Sequence, residues 1–529
     1  MGMMARSAVT VVTVGLSISV SIAQSFTVDN GVIVDETGRR RVFHGVNAVE
    51  KVGDFIPSTG EFNTVNSLND EDASLLQSWG MNVIRLGVMW PAVTPSKGVV
   101  NTTYLGEIKT MIESMAAKGI YTLVDMHQDV WSPYLCGEGM PDWVYLRALE
   151  LEGFDRTGSR AFPAPLKLEL PLDEATGYPN VDACMNHSFF QYYLTFESET
   201  AWRAVYEQEE IWGYMADHWV AVADALKGTT GLLGYEMINE PWPARGYNGS
   251  FQFLSDSHTL EPLYEHLHTA IRAVDTDALF FFEPLVLESY LSLVNRYTDF
   301  RVGGPGGEEW ANKSVLAYHS YCSNDASGAP KPMSLCRAIV AKAWQSVDHN
   351  VHALNVGGFL TEYGAVGDDD NSITLINLQA QGADALYQSW AYWTYKSFDD
   401  ITTQNPATET FFYPNGTLQT KKLEAIVRPY APAVAGVPTS MEFDHRISRF
   451  SLSFTTLSED ELSSDALTEV YVPKSYHYTK GYRAFVSPSD ALSFETSSTS
   501  DEWDMLTFAK AADVAAGTNV TITIWPKLL

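Results

Sequence analysis

Leu232-Leu233-Gly234-Tyr235-Glu236-Met237-Ile238-Asn239-Glu240-Pro241-Trp242 is the stretch on which the reading of the chain turns. It opens apolar, as a strand buried on both faces does. It ends in Asn239-Glu240-Pro241, where Pro241 has no amide hydrogen to give a ladder and so stops the sheet. An amide and a carboxylate at the end of a buried strand are costly to desolvate without partners. Gly357-Gly358-Phe359-Leu360-Thr361-Glu362-Tyr363-Gly364 repeats the pattern, a short apolar run that reaches a carboxylate. Two Glu on two strand ends, remote in sequence, form the pair that double-displacement glycoside hydrolysis requires.

From Arg41 onward, apolar β-rich runs at 42–47, 82–90, 121–127, 232–240, 279–284, 314–321, 356–363 and 389–395 alternate with helical patterns. The clearest helical patterns are 70–79, 103–118, 211–226, 260–274 and 373–387. Such alternation implies parallel strands with crossover helices, and eight units predict a closed (β/α)8 TIM barrel. A barrel gathers its βα loops on one face. His44, Asn47, Arg85, Trp90, His127, Glu240, His319, Tyr321, Glu362 and Trp393 are read as strand-end residues on that face. The third βα loop, 128–210, carries many aromatics and reads as a wall of a substrate cleft.

Beyond Arg428-Pro429-Tyr430-Ala431-Pro432 the texture changes to short strands at 440–443, 449–455, 469–472, 482–486, 491–495 and 519–524. Turn-rich spacing of this kind predicts a C-terminal antiparallel β-sandwich, either bracing the barrel or serving as a lectin-like module. The expected division is a barrel over 24–430 and a sandwich over 431–529. Residues 1–23 read as a secretory signal peptide: Arg6 supplies the basic start, an apolar run follows, and Ser21-Ile22-Ala23 closes it. The run is short and interrupted by Ser and Thr, which argues against a retained membrane anchor.

Four cysteines agree with secretion, and the expected pairs are Cys136–Cys184 and Cys322–Cys336, each stapling one inserted loop. No pair has metal-ligand spacing. Sequons at Asn101, Asn186, Asn248, Asn312, Asn415 and Asn519 are compatible with surface glycosylation. A net charge of −31 argues against nucleic acid and against electrostatic adhesion to anionic membrane. The address that fits is extracellular, digestive or lysosomal.

For the chemistry, Glu240 is the expected acid/base and Glu362 the expected nucleophile, with Arg85 as the cation that keeps Glu362 ionised. Asn239 would bond the sugar 2-OH. Alternation would send Asn239 and Glu240 to opposite faces unless the strand bends as it ends. Tyr321 would donate to Glu362, His319 would support the pair, and Trp393 would floor a sugar ring. No metal or organic cofactor is required by this scheme.

The pattern Arg85, His127, Asn239-Glu240, His319 with Tyr321, Glu362 and Trp393 resembles glycoside hydrolase family 5, the retaining clan with catalytic Glu on barrel strands four and seven. More specific runs are similar to its endoglycoceramidases: His44-Gly45-Val46-Asn47 with Lys51, Ser67-Leu68-Asn69-Asp70-Glu71-Asp72, and Arg85-Leu86-Gly87-Val88-Met89-Trp90. Asp125-Met126-His127-Gln128-Asp129-Val130 and Cys136-Gly137-Glu138-Gly139-Met140-Pro141 complete the set. The resemblance implies cleavage of the β-linkage between an oligosaccharide and ceramide in a glycosphingolipid. It also implies that Lys51 and Asp129 bind hydroxyls of the ceramide-linked glucose. A ceramide product calls for an apolar groove, which Phe55-Ile56-Pro57 and the third loop would supply. Without a basic amphipathic helix, access to membrane lipid would call on an activator protein or a detergent-like amphiphile. The competing readings are a glucosylceramidase, a steryl-glucosidase or another β-glucosidase, and a non-catalytic glycolipid-binding protein.

Overall fold

The computed structural model describes residues 25–244, 255–286, 297–324, 328–403 and 405–527. The signal-peptide reading of residues 1–23 and the sequon at Asn248 fall outside them. Eight strands close a parallel barrel: β1 (His44–Ala48), β2 (Val83–Gly87), β3 (Tyr121–Asp125), β4 (Leu232–Glu236), β5 (Leu279–Phe282), β6 (Ser314–Ser320), β7 (Gly357–Gly364) and β8 (Ser389–Trp393). Every residue of these strands is buried, so their sequences run continuously apolar where no site residue intervenes. Gly234 lets β4 lie against β5, because a Cβ there would stand 2.4 Å from the carbonyl oxygen of Leu279.

Crossover helices wrap the barrel with one apolar stripe inward. In Glu261–Arg272 the buried Leu263, Tyr264, Leu267 and Ile271 recur at helical spacing. The Ser67–Asp72 run that looked like a family signature has a structural job. Asn69 caps Asp70–Ser78 in a capping box with Asp72. Asp72 also accepts from Tyr395 at 2.6 Å and pairs with buried Lys396, tying the loop after β1 to the loop after β8.

The lower half of the barrel is filled by Val83, Leu123, Leu233, Phe281, Val315, Phe359 and Ala391, joined by Phe26, Val28 and Ile33 from an N-terminal hairpin. Phe26, Phe43 and Tyr121 meet edge to face at 5.3–5.8 Å. That hairpin, Phe26–Asp29 with Val32–Asp35, continues through Arg40–Arg41 into the C-terminal sheet. Arg41 and Arg40 pair with Ala433 and Val434. One sheet therefore has seven strands drawn from both ends of the chain, and a second has four, Val437–Asp444, Arg449–Thr455, Asn519–Pro526 and Tyr482–Ser487. Phe450, Leu452, Phe454, Val520, Ile522 and Ile524 of the small sheet share one apolar cluster with Val470, Leu506 and Phe508 of the large one.

Both disulfides pair as expected, Cys136–Cys184 and Cys322–Cys336, and no cysteine is free among the described residues. Asn186, Asn312, Asn415 and Asn519 are exposed, whereas Asn101 is half-buried and caps the helix Thr102–Ala116. No described helix is long and apolar enough to cross a membrane.

Candidate active site

The barrel brings Glu240 and Glu362 together. One oxygen from each, with a ring nitrogen of His319, all lie within 4.8 Å of one another. Three local departures from regular strand make this meeting. β4 ends at Glu236, short of the expected 240, and Glu240 takes a left-handed φ of 46°. The chain thus bends where alternation would have parted Asn239 from Glu240. A register shift between β6 and β7, where Tyr318 pairs with Leu360 and His319 with Glu362, sets His319 opposite Glu362, and a second shift lies between Leu360 and Tyr363 where β7 meets β8.

Arg85, fully buried on β2, is the hub. It donates to Oε1 of Glu362 at 2.7 Å, to Oδ1 of Asn239 at 2.9 Å, to Oδ1 of Asn47 at 3.0 Å and to Oε2 of Glu236 at 2.5 Å. Asp125 stands 3.1 Å away and Glu283 3.8 Å. Tyr321 donates to Oε2 of Glu362 at 2.7 Å, so each oxygen of that carboxylate has its own donor. Nδ1 of His319 is 2.7 Å from Oε1 of Glu240 and 3.5 Å from Oε2 of Glu362. Burial pushes His319 down to about 4, aided by Arg85 and His127. Burial, with Asp125 adding to it, pushes Glu236 up to about 7 against the pull of Arg85.

A second charged group adjoins the first. Lys51 donates to Asp129 at 2.7 Å and to Thr402 at 2.6 Å, with Asp400 and Glu138 at 3.5 and 3.6 Å. Burial works against the Lys51 charge, but Asp129, Asp400 and Glu138 hold its proton well above the ordinary lysine range. Burial drives Glu138 up to about 8. His127 joins the two groups, 2.7 Å from Asp125 through Nδ1 and 3.5 Å from Asp129 through Nε2. Burial opposes its charge, yet Asp125 and the hydrogen bond to it carry its pKa up to about 9. The Trp393 ring lies parallel to His127 at 5.2 Å, with Lys51 Nζ 4.9 Å from its centroid, and its indole N–H donates to Glu409 at 3.1 Å.

All ten expected catalytic and binding residues, Lys51, Arg85, His127, Asp129, Asn239, Glu240, His319, Tyr321, Glu362 and Trp393, fall within these two groups. Two other strand-end residues do not. His44 begins β1 rather than ending it, stacked on Trp390 and Tyr430 at 4.1 and 3.6 Å and bonded to Asp384. Trp90 is fully buried against Trp131. Of the third-loop aromatics, Trp131, Tyr192 and Tyr193 are buried, and Tyr193 stacks on Trp242, two residues past Glu240, at 4.6 Å. Ile56 and Pro57 border a 950 Å³ groove that also has Glu50, Asp54, Asp70, Glu71 and Glu107 among its walls.

The buried acids Asp125, Glu236 and Glu283 were not singled out in the sequence. Glu236 stands inside the opening stretch itself, and Glu283-Pro284 repeats the Glu240-Pro241 ending.

A pair of carboxyls, one just past the fourth strand of a barrel and one on the seventh, with Arg, His, Tyr and Trp around them, fits glycoside hydrolysis. A family model described as cellulase (glycosyl hydrolase family 5) matches residues 46–399. The chain belongs to glycoside hydrolase family 5. The family's C-terminal domain matches residues 428–524. An endoglycoceramidase of Hydra vulgaris is 34% identical over 469 residues, covering 87% of this chain and 83% of that protein. An endoglycoceramidase of Cyanea nozakii is 31% identical over 525 residues, 98% and 97% of the two chains. The solved endo-glycoceramidase II from Rhodococcus sp. superposes with a TM-score of 0.69 at 20% identity, over 94% of this chain and 99% of that one, a likeness of fold. The protein is a glycoside hydrolase of this family.

Proposed function

We propose that the protein is a retaining endo-β-glycosidase that hydrolyses the linkage between oligosaccharide and ceramide in glycosphingolipids. The observation that carries the mechanism is the approach of Glu240 and Glu362 within 4.8 Å. Retaining enzymes hold their carboxyls about 5–5.5 Å apart, and inverting ones leave room for a water between them. Glu362, held by Arg85 and Tyr321, attacks the anomeric carbon while Glu240 protonates the departing oxygen. Water then cleaves the glycosyl-enzyme with Glu240 as base. Asn239, fixed by Arg85, meets the 2-OH of the sugar, and Trp393 floors it. Lys51 and Asp129 bind its outer hydroxyls.

The substrate reading rests on the endoglycoceramidase relatives, which align over most of their length. A glucosylceramidase of Rhizopus delemar aligns at 29% identity over 34% of this chain, and supports the β-glucosidase alternative over that part alone. The exposed sequons and paired cysteines support a secreted or lysosomal setting. An activator or a detergent-like amphiphile would deliver the lipid.

Incubation with lactosylceramide or a ganglioside in detergent separates the readings. Free oligosaccharide with its lipid partner ceramide supports the endo cut, and free glucose from glucosylceramide alone supports the alternative. The first-formed sugar should be the β-anomer by NMR; an α-anomer would sink the retaining mechanism.

A further inference from the structure

Glu283 follows β5 directly and is 2% exposed beside Glu240. Its Oε1 accepts the backbone N–H of Glu240 at 3.3 Å and lies 3.4 Å from Nε2 of His319. Both contacts bear on the acid/base. A φ of 46° at Glu240 is a conformation that a non-glycine residue keeps only when its surroundings hold it. Neutral imidazole carries one N–H, so what Nε2 faces decides whether Nδ1 can donate to the Glu240 carboxylate. Nε2 of His319 is buried and makes no well-aligned hydrogen bond among the described residues, and Glu283 Oε1 at 3.4 Å is placed to supply one.

We propose that Glu283 is a positioning residue that holds the backbone of Glu240 and donates to Nε2 of His319, so that His319 directs Nδ1–H at Glu240. This rests on the reading of Glu240 as acid/base. The carboxyl acts in its neutral form: burial, then Glu236, Glu240 and Glu362 keep its proton on against the pull of Arg85. Around His319 stand Glu362, Arg85, Asp125, His127, Glu236, Glu283 and Glu240 itself, and burial holds the imidazole pKa down to about 4, so that it is neutral at neutral pH. One hydroxyl oxygen can accept from the amide and donate to the imidazole at once, which an ionised carboxylate cannot do.

The test compares Glu283→Ala and Glu283→Gln with the wild type across pH on phenyl β-lactoside, a substrate that needs no assumption about the lipid and whose poor leaving group requires the acid. Glu283→Ala should lower kcat about 10²-fold with KM little changed. Loss of a donor to the Glu240 carboxylate should also move the alkaline limb upward by about one pH unit. Glu283→Gln can place its amide nitrogen where Oε1 stands, and there it donates to Nε2 of His319 but no longer accepts from the Glu240 amide, so it should restore the limb and only part of kcat. If the alanine variant does not fold, Glu283→Met carries the same expectations. A wild-type profile in the alanine or methionine variant overturns the proposal. So does an equal loss in both variants with the limb unmoved, which marks a structural role. Wild-type turnover by Glu240→Gln would instead overturn the acid/base reading itself.

Discussion

Nη1 of Arg85 donates to Oε1 of Glu362 at 2.7 Å, and the same guanidinium reaches Asn47, Asn239 and Glu236. A planar fork with five donors can serve partners in several directions; an ammonium cannot. Arg85→Lys should therefore lower kcat about 10²-fold through misplacement of Glu362. Arg85→Ala strips the cation from among four buried carboxyls and should cost about 3–5 kcal/mol of stability. Urea unfolding and initial rates check the two effects; a lysine variant with wild-type kcat would remove the geometric argument.

Tyr321 gives Oε2 of Glu362 its one described hydroxyl donor at 2.7 Å. Tyr321→Phe keeps the ring and removes that bond. In the proposed mechanism charge leaves the Glu362 carboxylate as it attacks and returns as the glycosyl-enzyme breaks down, so the lost donor should mainly slow the second step. We expect kcat to fall about 10²-fold, with an initial burst of aglycone. A fall in kcat/KM alone, with no burst, would place Tyr321 outside the chemistry.

The two Glu should fail differently. Glu362→Gln should abolish turnover on every substrate, because no group remains to form the glycosyl-enzyme. Glu240→Ala should still be glycosylated by an aryl glycoside with a good leaving group, which needs no acid, and then stall. Added azide should restart it and yield a β-glycosyl azide. An α-azide from Glu240→Ala and a β-azide from Glu362→Ala would exchange the two roles.

The eight strand units could be read because a strand buried on both faces must be apolar along its length, and their site residues interrupt that run visibly. Asn239, Glu240 and Glu362 stood out for this reason. The hairpin from Phe26 to Asp35 did not, since its strands are four residues each and the chain they join through Arg41 lies some 390 residues on, at Ala433. Glu236 escaped notice because a carboxyl within a strand looks like an outward residue until Arg85 is seen against it. His44 misled in the opposite sense: a polar residue at a strand terminus carries no mark of which terminus it is. The third loop shows its many aromatics in sequence, but not which of them reach the site, as Tyr193 does by stacking on Trp242 at 4.6 Å.

Glu409 accepts the indole N–H of Trp393 at 3.1 Å and the backbone N–H of Asn405 at 3.0 Å. Burial pushes its pKa up to about 7 from an ordinary 4.5. Between those values the folded protein holds a proton that the unfolded chain has released, so stability falls as pH rises through this window. Glu409→Gln keeps an acceptor for the indole and cannot ionise. Its NH2 then faces the Asn405 N–H in place of an acceptor, so it should melt below wild type at pH 4.5 and gain on wild type as pH rises to 8. The gain is of order 3 kcal/mol, from about 2.5 pKa units at 1.36 kcal/mol each. Paired thermal melts at the two pH values measure it. A difference between the variants that stays constant from pH 4.5 to 8 would show that Glu409 is ionised in the fold throughout, and that the Trp393 platform rests on a charge.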